Sequence, residues 1–221
     1  MHIREKFINE IANRFQALSN EKIGPLVSEN LLSPFHIELP GAVLKQAQFF
    51  VDAAFALRER DEYRSYLSSE ARNLGILDPG NKSICMSYDF HLAQEGTLKL
   101  IEINTNASFL ALADLLYSAA GIARPVSDFS LNEIKENILE ELLLNGKTIR
   151  IPNVATVDEN PPEQRLYIEF LVFSELFKSW GWSSKILDYR DPIENVDFIY
   201  NRFTDFYFSE DSSRSLKERF N

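Results

Sequence analysis

The spacing of the apolar residues changes along this chain, and no other feature limits the fold as strongly. In residues 3–18, Ile3, Phe7, Ile8, Ile11, Phe15 and Leu18 recur three or four apart, which lays one apolar stripe along a helix. Pro25, Pro34 and Pro40 mark a loop. Residues 41–67 then form a second helical stretch, with Val43, Leu44, Ala47, Phe50, Val51, Ala54, Phe55 and Leu57 expected to face inward. Residues 58–66 of it turn charged. Asp78-Pro79-Gly80-Asn81 signals a turn. Beyond it the period falls to two. Residues 83–92 and 98–104 read as strands, joined by a hairpin turn at Gln94-Glu95-Gly96.

After the second strand a helix is expected over about 109–119. Ser130-Leu131-Asn132-Glu133 has the form of a capping box that opens another helix, and Gly146 is placed to stop it. Residues 147–157 read as a strand. Asn160-Pro161-Pro162-Glu163 reads as a helix start, with an Asn cap, prolines in the first turn and an acid third. That helix should run to about Trp180 and stop at Gly181. Residues 182–187 and 196–200 read as strands, and 212–220 as a helix. Strand, helix, strand, strand implies an α/β fold, a sheet covered by helices. The boundary falls near Gly146, dividing the chain into 1–146 and 147–221. No internal repeat and no low-complexity segment occurs.

Composition excludes several function classes. Lys plus Arg is 23 and Asp plus Glu is 33, a net charge of −10, which disfavours general binding of nucleic acid or anionic membrane. With 221 residues, 45% of them hydrophobic, the chain can bury a core, and its 17 Phe make that core aromatic. The single cysteine, Cys85, excludes an internal disulfide and a multi-cysteine metal site, and it reads as inert packing in an apolar strand. His2, His36 and His91 are far apart, so zinc is not expected. The charged start carries no secretory signal. The apolar stretch 109–123 is interrupted by Asp114 and is too short to span a bilayer. A cytoplasmic protein is expected.

The chemistry-bearing residues cluster in three places. By the two-residue period Glu102, Asn104 and Asn106 share one strand face, with Leu100 before them, while Ile101 and Ile103 should enter the core. A carboxylate beside a carboxamide supplies hard oxygen ligands, which suits magnesium held between protein and phosphate. The same residues equally suit a strand end facing water or capping the next helix. Asp158, Asn160 and Gln164 surround the expected helix start, where Asn160 and Glu163 can form a capping box and the helix N-terminus can receive a carboxylate. Arg202 follows an apolar strand, where open α/β sheets place ligands, and its fork pairs two oxygens at once. A surface salt bridge to Asp205 or Asp197 is the plainer alternative. Phe203, Phe206, Tyr207 and Phe208 form a run that is either core or an exposed patch.

Three strings, taken in order, resemble a known family. They are Tyr88-Asp89-Phe90-His91 with Leu100-Ile-Glu102-Ile-Asn104-Thr-Asn106-Ala-Ser108-Phe109, then Asp158-Glu-Asn160-Pro-Pro-Glu-Gln164-Arg165, then Tyr200-Asn201-Arg202. They resemble the circularly permuted ATP-grasp ligases: glutathione synthetases of the eukaryotic type and the glutathionylspermidine synthetase-like group. The resemblance implies a helical N-terminal segment, a partial ATP-grasp-type sheet, and a Rossmann-like substrate domain over 147–221. It implies that Glu102 and Asn104 are magnesium ligands holding the ATP phosphates. It also implies that Ser108 lies in a loop near the substrate, that Asp158, Asn160 and Gln164 contact it, and that Arg202 binds its carboxylate. No catalytic residue is assigned.

The family's glycine-rich phosphate loop and nucleotide lysines should follow the Tyr-x-Arg strand, but the sequence ends at Asn221 and has no glycine-rich run among its 8 glycines. The expectation is therefore one wall of a ligase site, holding neither ATP nor magnesium tightly by itself. The intact ligase would join an amino acid or peptide carboxylate to an amine through an acylphosphate. The alternative is a non-catalytic module that binds a small carboxylate or peptide. Such a chain could pair with a separate ATP-binding chain or form a homo-oligomer.

Overall fold

A computed structural model describes residues 2–33, 35–76, 82–126, 129–205 and 208–220. The turn expected at Asp78-Pro79-Gly80-Asn81 and two members of the aromatic run, Phe206 and Tyr207, lie outside the described residues. In chain order the elements are α1 (Ile3–Arg14), α2 (Asn20–Ile23), α3 (Gly41–Leu57), α4 (Asp61–Leu74), β1 (Ser87–Leu92), β2 (Leu98–Asn104), α5 (Leu110–Ala120) and α6 (Asn132–Leu144). They continue with β3 (Asn153–Asp158), α7 (Tyr167–Ser179), β4 (Ser183–Asp188), β5 (Phe198–Asn201) and α8 (Arg214–Phe220). The strands make two sheets. β1 and β2 form an antiparallel hairpin, and β3, β4 and β5 form a parallel sheet ordered β4-β3-β5.

Local signals set most of these limits. Glu133 accepts the Ser130 amide at 3.0 Å and the Ser130 hydroxyl accepts the Asn132 amide at 3.2 Å, which starts α6. Gly146, at φ 75°, ends it by sending its own amide to Leu143 and the Lys147 amide to Leu142. Gly181, at φ 80°, ends α7 likewise. The strand expected over 147–157 begins only at Asn153, directly after Pro152, which has no N–H to give the ladder.

α7 covers one face of the parallel sheet. The main buried cluster joins Phe7 and Ile11 of α1, Leu112 and Leu115 of α5, Ile138 of α6, and Phe173 and Phe177 of α7, so one core takes residues from both sides of Gly146. Asp114 is buried between α1 and α5, where Arg14 donates to it at 2.9 Å and Arg124 at 2.5 Å. A smaller cluster on the opposite sheet face holds Ala155, Val157, Tyr189, Phe203 and Leu216.

Two expectations about burial are overturned. The stretch 41–67 breaks at residues 58–60 into α3 and α4. On α3 only Val43 is buried, while Leu44, Phe55 and Leu57, expected inward, are exposed. The cause is the partner. α3 lies against the two-stranded hairpin, where Gln46 bonds Gly96 and Leu98, and the Phe50 ring lies 5.7 Å from Phe90. Two strands offer too little area to cover a seventeen-residue helix.

The second correction lies in the hairpin. Asp89 pairs with Glu102 but Phe90 pairs with Leu100, which leaves Ile101 as an extra residue in β2. Paired residues share a face, and Asp89 and Phe90 point oppositely, so the bulge puts Leu100 on the face away from Glu102. Ile101, at 66% exposed, and Ile103 do not enter the core.

Candidate functional site

The parallel sheet places the site. In the order β4-β3-β5 the chain runs from β3 to β4 on one side and returns to β5 on the other. The carboxyl ends of β3 and β5 therefore flank a topological switch point. Val154 packs with α7 while Ala155 and Val157 face the other cluster, so Thr156 and Asp158 also lie on the α7 side. Thr156 pairs with Tyr200, and the Tyr200 ring meets Phe173 of α7 at 5.2 Å. Arg202 follows on that same side, its amide donating to Val157 at 2.8 Å.

The Arg202 side chain is the unusual member of this group. Its Nε and Nη1 are shut off from solvent and make no hydrogen bond. Asp205 accepts from Ser209, Glu210 and Ser213, and Asp197 from Asn153, so the two acids offered as salt-bridge partners are engaged elsewhere. The guanidinium carbon sits 5.6 Å from the Tyr200 ring centroid. Two more buried atoms near it are unpartnered: Thr156 Oγ1 and Glu169 Oε1. Buried polar groups almost always have partners, so these atoms leave hydrogen-bonding capacity unmet at one sheet end.

Glu169 enters from the first turn of α7 and is fully buried. Its Oε2 accepts the Phe109 amide at 2.7 Å, and the amides of Ala111 and Leu112 in the first turn of α5 also favour its charge. Phe109 is left-handed at φ 75°, and this bend presents its N–H to the acid. Burial pushes the Glu169 carboxyl upward, against those amides and the Arg202 charge. Burial likewise raises the pKa of Asp158, opposed by its bond from the Glu159 amide and by Arg202. The same burial raises Tyr200, and it takes Cys85 to about 11 with Glu169 adding to the rise.

The loop after β2 closes the site from above. Tyr200 donates to the Ala107 carbonyl at 2.9 Å, and the Ala107 amide donates to Cys85 at 2.8 Å. Ser108, half-buried, lies between Ala107, which makes both of these bonds, and Phe109, whose amide bonds Glu169. Asn106 has left the strand and donates to the Asn201 carbonyl at 3.5 Å, so it does not continue the Glu102–Asn104 face. Ser108, Asp158 and Arg202 thus gather around one sheet end.

The other expected residues do different things. Asn160 does not cap α7. It is left-handed at φ 41°, its amide donates to Asp188 at 2.7 Å, and its side-chain oxygen accepts from Arg190 at 2.7 Å. A 3-10 turn, Pro161–Glu163, follows, and α7 waits until Tyr167. Gln164 donates to the Glu159 carbonyl at 2.6 Å and braces this turn. Asp188, held well below its ordinary range chiefly by Arg190, ties the turn to β4.

Glu102 and Asn104 share a hairpin face, as expected, and the Asn104 amide donates to Glu102 at 3.0 Å. Asp89 lies directly opposite Glu102, so two carboxylates and a carboxamide oxygen stand together. Hard oxygen donors of this kind fit magnesium. Among the described residues, no three His, Cys, Asp or Glu side chains gather as a metal site, and no helix is long and apolar enough to cross a membrane.

Sequence reasoning missed Glu169. Its signal was present: Val172 and Phe173, three and four residues on, place it on the apolar stripe of its helix. No known protein family, no curated protein and no solved structure matches the chain.

Proposed function

We propose that this chain supplies the carboxylate-binding wall of an ATP- and magnesium-dependent carboxylate–amine ligase of the circularly permuted ATP-grasp type. In this reading residues 147–221 are its Rossmann-like substrate domain. The observation that carries it is Arg202, with two buried guanidinium nitrogens that lack partners at the switch point of a parallel sheet. A substrate carboxylate offers the two oxygens that these donors need. Asp158 and Ser108 flank the same sheet end, and the turn braced by Asn160 and Gln164 forms its border.

In the ligase, ATP phosphorylates the acid and an amine displaces phosphate, with magnesium neutralising charge on the phosphates when bound. Glu102 and Asn104, with Asp89 opposite, are the residues that would hold that magnesium. Arg202 holds and orients the acid, and the buried surroundings keep water from it. A second reading is carboxylate or peptide binding without turnover, alone or beside a separate ATP-binding chain or second copy. The exposed position of Glu102, on a hairpin outside the parallel sheet, favours it.

The test is calorimetric titration of the intact chain with a panel of amino acids and dipeptides, with and without Mg-ATP. At least one carboxylate should bind, and Arg202→Ala should weaken it by about 1.5–3 kcal/mol. Release of ADP only when acid and amine are both present would favour the ligase over the binding module. No binding by any member, or equal binding by Arg202→Ala, refutes both readings.

A further inference from the structure

The hairpin has an open edge. Among the described residues β2 pairs with β1 alone, so no strand lies along its outer side. α3 closes only the start of that side. Gln46 accepts from the Leu98 amide and donates to the Gly96 carbonyl, both at 3.2 Å, as the peptide group of a neighbouring strand would. Past Leu98, residues Lys99, Leu100, Ile101, Glu102 and Ile103 are all exposed. A bare strand edge is a template for another strand, and proteins ordinarily block or fill it.

The residues along this edge complement one another. Lys99 pairs with His91 and Glu102 with Asp89, so the two opposite charges stand on one face of the hairpin. In an unbroken strand, residues three apart face opposite ways. The extra residue at Ile101 brings these two to the same side. That matters because two antiparallel copies of a strand, related by a two-fold axis, set opposite each other only residues of the same face. With the axis between Leu100 and Ile101, Lys99 of each copy lies opposite Glu102 of the other, and Leu100 lies opposite Ile101. Sliding the register by one residue either way puts an aliphatic side chain opposite both charges. Among the described residues neither Lys99 nor Glu102 has an ion-pair partner within the chain. Asn104 bonds only Oε1 of Glu102, which leaves Oε2 for a second donor.

We propose that the outer edge of β2 is a self-association surface whose partner is a second copy of this chain. The two copies join antiparallel through residues 99–102, so that the hairpins form one sheet in the order β1-β2-β2-β1. Two Lys99–Glu102 pairs flank the paired Leu100 and Ile101, and Gln46 closes the ladder beyond each end at Leu98. A ladder this short makes a weak, concentration-dependent dimer. The proposal does not rest on the carboxylate reading, since Arg202 belongs to the parallel sheet. It gives Glu102 a use that competes with holding magnesium.

The test is analytical ultracentrifugation of the intact chain over a concentration series up to about 1 mM. A monomer–dimer equilibrium should appear. Lys99→Glu and Glu102→Lys should each raise the dissociation constant about tenfold or more, because two attractions become two repulsions. An equimolar mixture of the two variants should associate again, since each then meets its opposite charge, and so should the double variant Lys99→Glu/Glu102→Lys. Should a variant fail to fold, hydrogen exchange in the unaltered chain decides: the amides of residues 99–102 should gain protection as concentration rises. A chain that stays monomeric to about 1 mM overturns the proposal, whatever else binds this edge. A dimer that ignores both single variants, a mixture no better than either alone, or exchange at residues 99–102 independent of concentration also overturns it.

Discussion

Replacing Glu169 perturbs the contact between α7 and α5, and the structure sets the size of the effect. Glu169→Ala removes the acceptor of a buried amide, Phe109 N–H at 2.7 Å, which costs about 1–3 kcal/mol. It also takes the nearest carboxylate from the first turn of α5, a loss comparable to removing a helix N-cap, about 1 kcal/mol. The sum is about 2–4 kcal/mol near pH 5. Glu169→Gln keeps an oxygen for Phe109 and should stay within about 1 kcal/mol of the parent there.

The two carboxamide and carboxyl forms then diverge with pH. Folding raises the Glu169 carboxyl above its ordinary value of 4.5, chiefly by burial. A group raised in this way stabilises the native state while it holds its proton. That contribution is full below the unfolded pKa and is lost as pH rises through the folded one. The stability of Glu169→Gln relative to the parent should therefore be greater at about pH 8 than at about pH 5. Urea denaturation followed by tryptophan emission reads both variants. Parallel pH curves for parent and Glu169→Gln, or an Ala variant as stable as the parent at both pH values, would refute the reasoning.

Three further outcomes are expected. Asp114→Ala removes the shared partner of Arg14 and Arg124, and since both arginines can turn to water the loss should be about 2–3 kcal/mol, measured by urea midpoint with unchanged slope. Gly146→Ala forces a Cβ onto a residue at φ 75° and should cost about 1–2 kcal/mol in the same assay, although nothing lies near enough to clash. Asp205 is lowered to about 2: burial opposes the shift, and the Ser213 hydroxyl and the Glu210 and Ser209 amides outweigh it. Its stabilising contribution is thus present above the unfolded value of 3.8 and lost as pH falls toward 2, so Asp205→Asn should flatten that acid limb of an unfolding curve.

Features set by neighbours in sequence were legible. The hairpin strand at 98–104, the Ser130–Glu133 helix start and the glycine stops at 146 and 181 each depend on a few adjacent residues. Features set by distant partners were not. Alternation alone cannot reveal an extra residue at Ile101, because the bulge is defined by which β1 residue sits opposite. One such insertion reverses the face of every residue before it, Leu100 included. The periodicity of α3 showed that it has an apolar side, but not that its partner would be a narrow hairpin. Asn160 has the composition of a helix cap, yet the Asp188–Arg190 pair at the end of β4 captures it in a left-handed turn. Of the expected site, Arg202, Asp158 and Ser108 converge because the sheet and the Tyr200–Ala107 bond bring them together. Glu102 and Asn104 remain on the hairpin.

Everything functional here turns on whether the Arg202 Nε–H meets a carboxylate. Its proton and nitrogen resonance can be followed directly by NMR in the intact chain, assigned by its disappearance in Arg202→Lys. Titration with the amino acids and dipeptides of the calorimetric panel should, for at least one of them, move the Arg202 Nε–H proton downfield and slow its exchange with water, as a new charge-assisted bond requires. An Arg202 Nε–H signal unmoved at saturating carboxylate would contradict the reading of this sheet end as an acid-binding site.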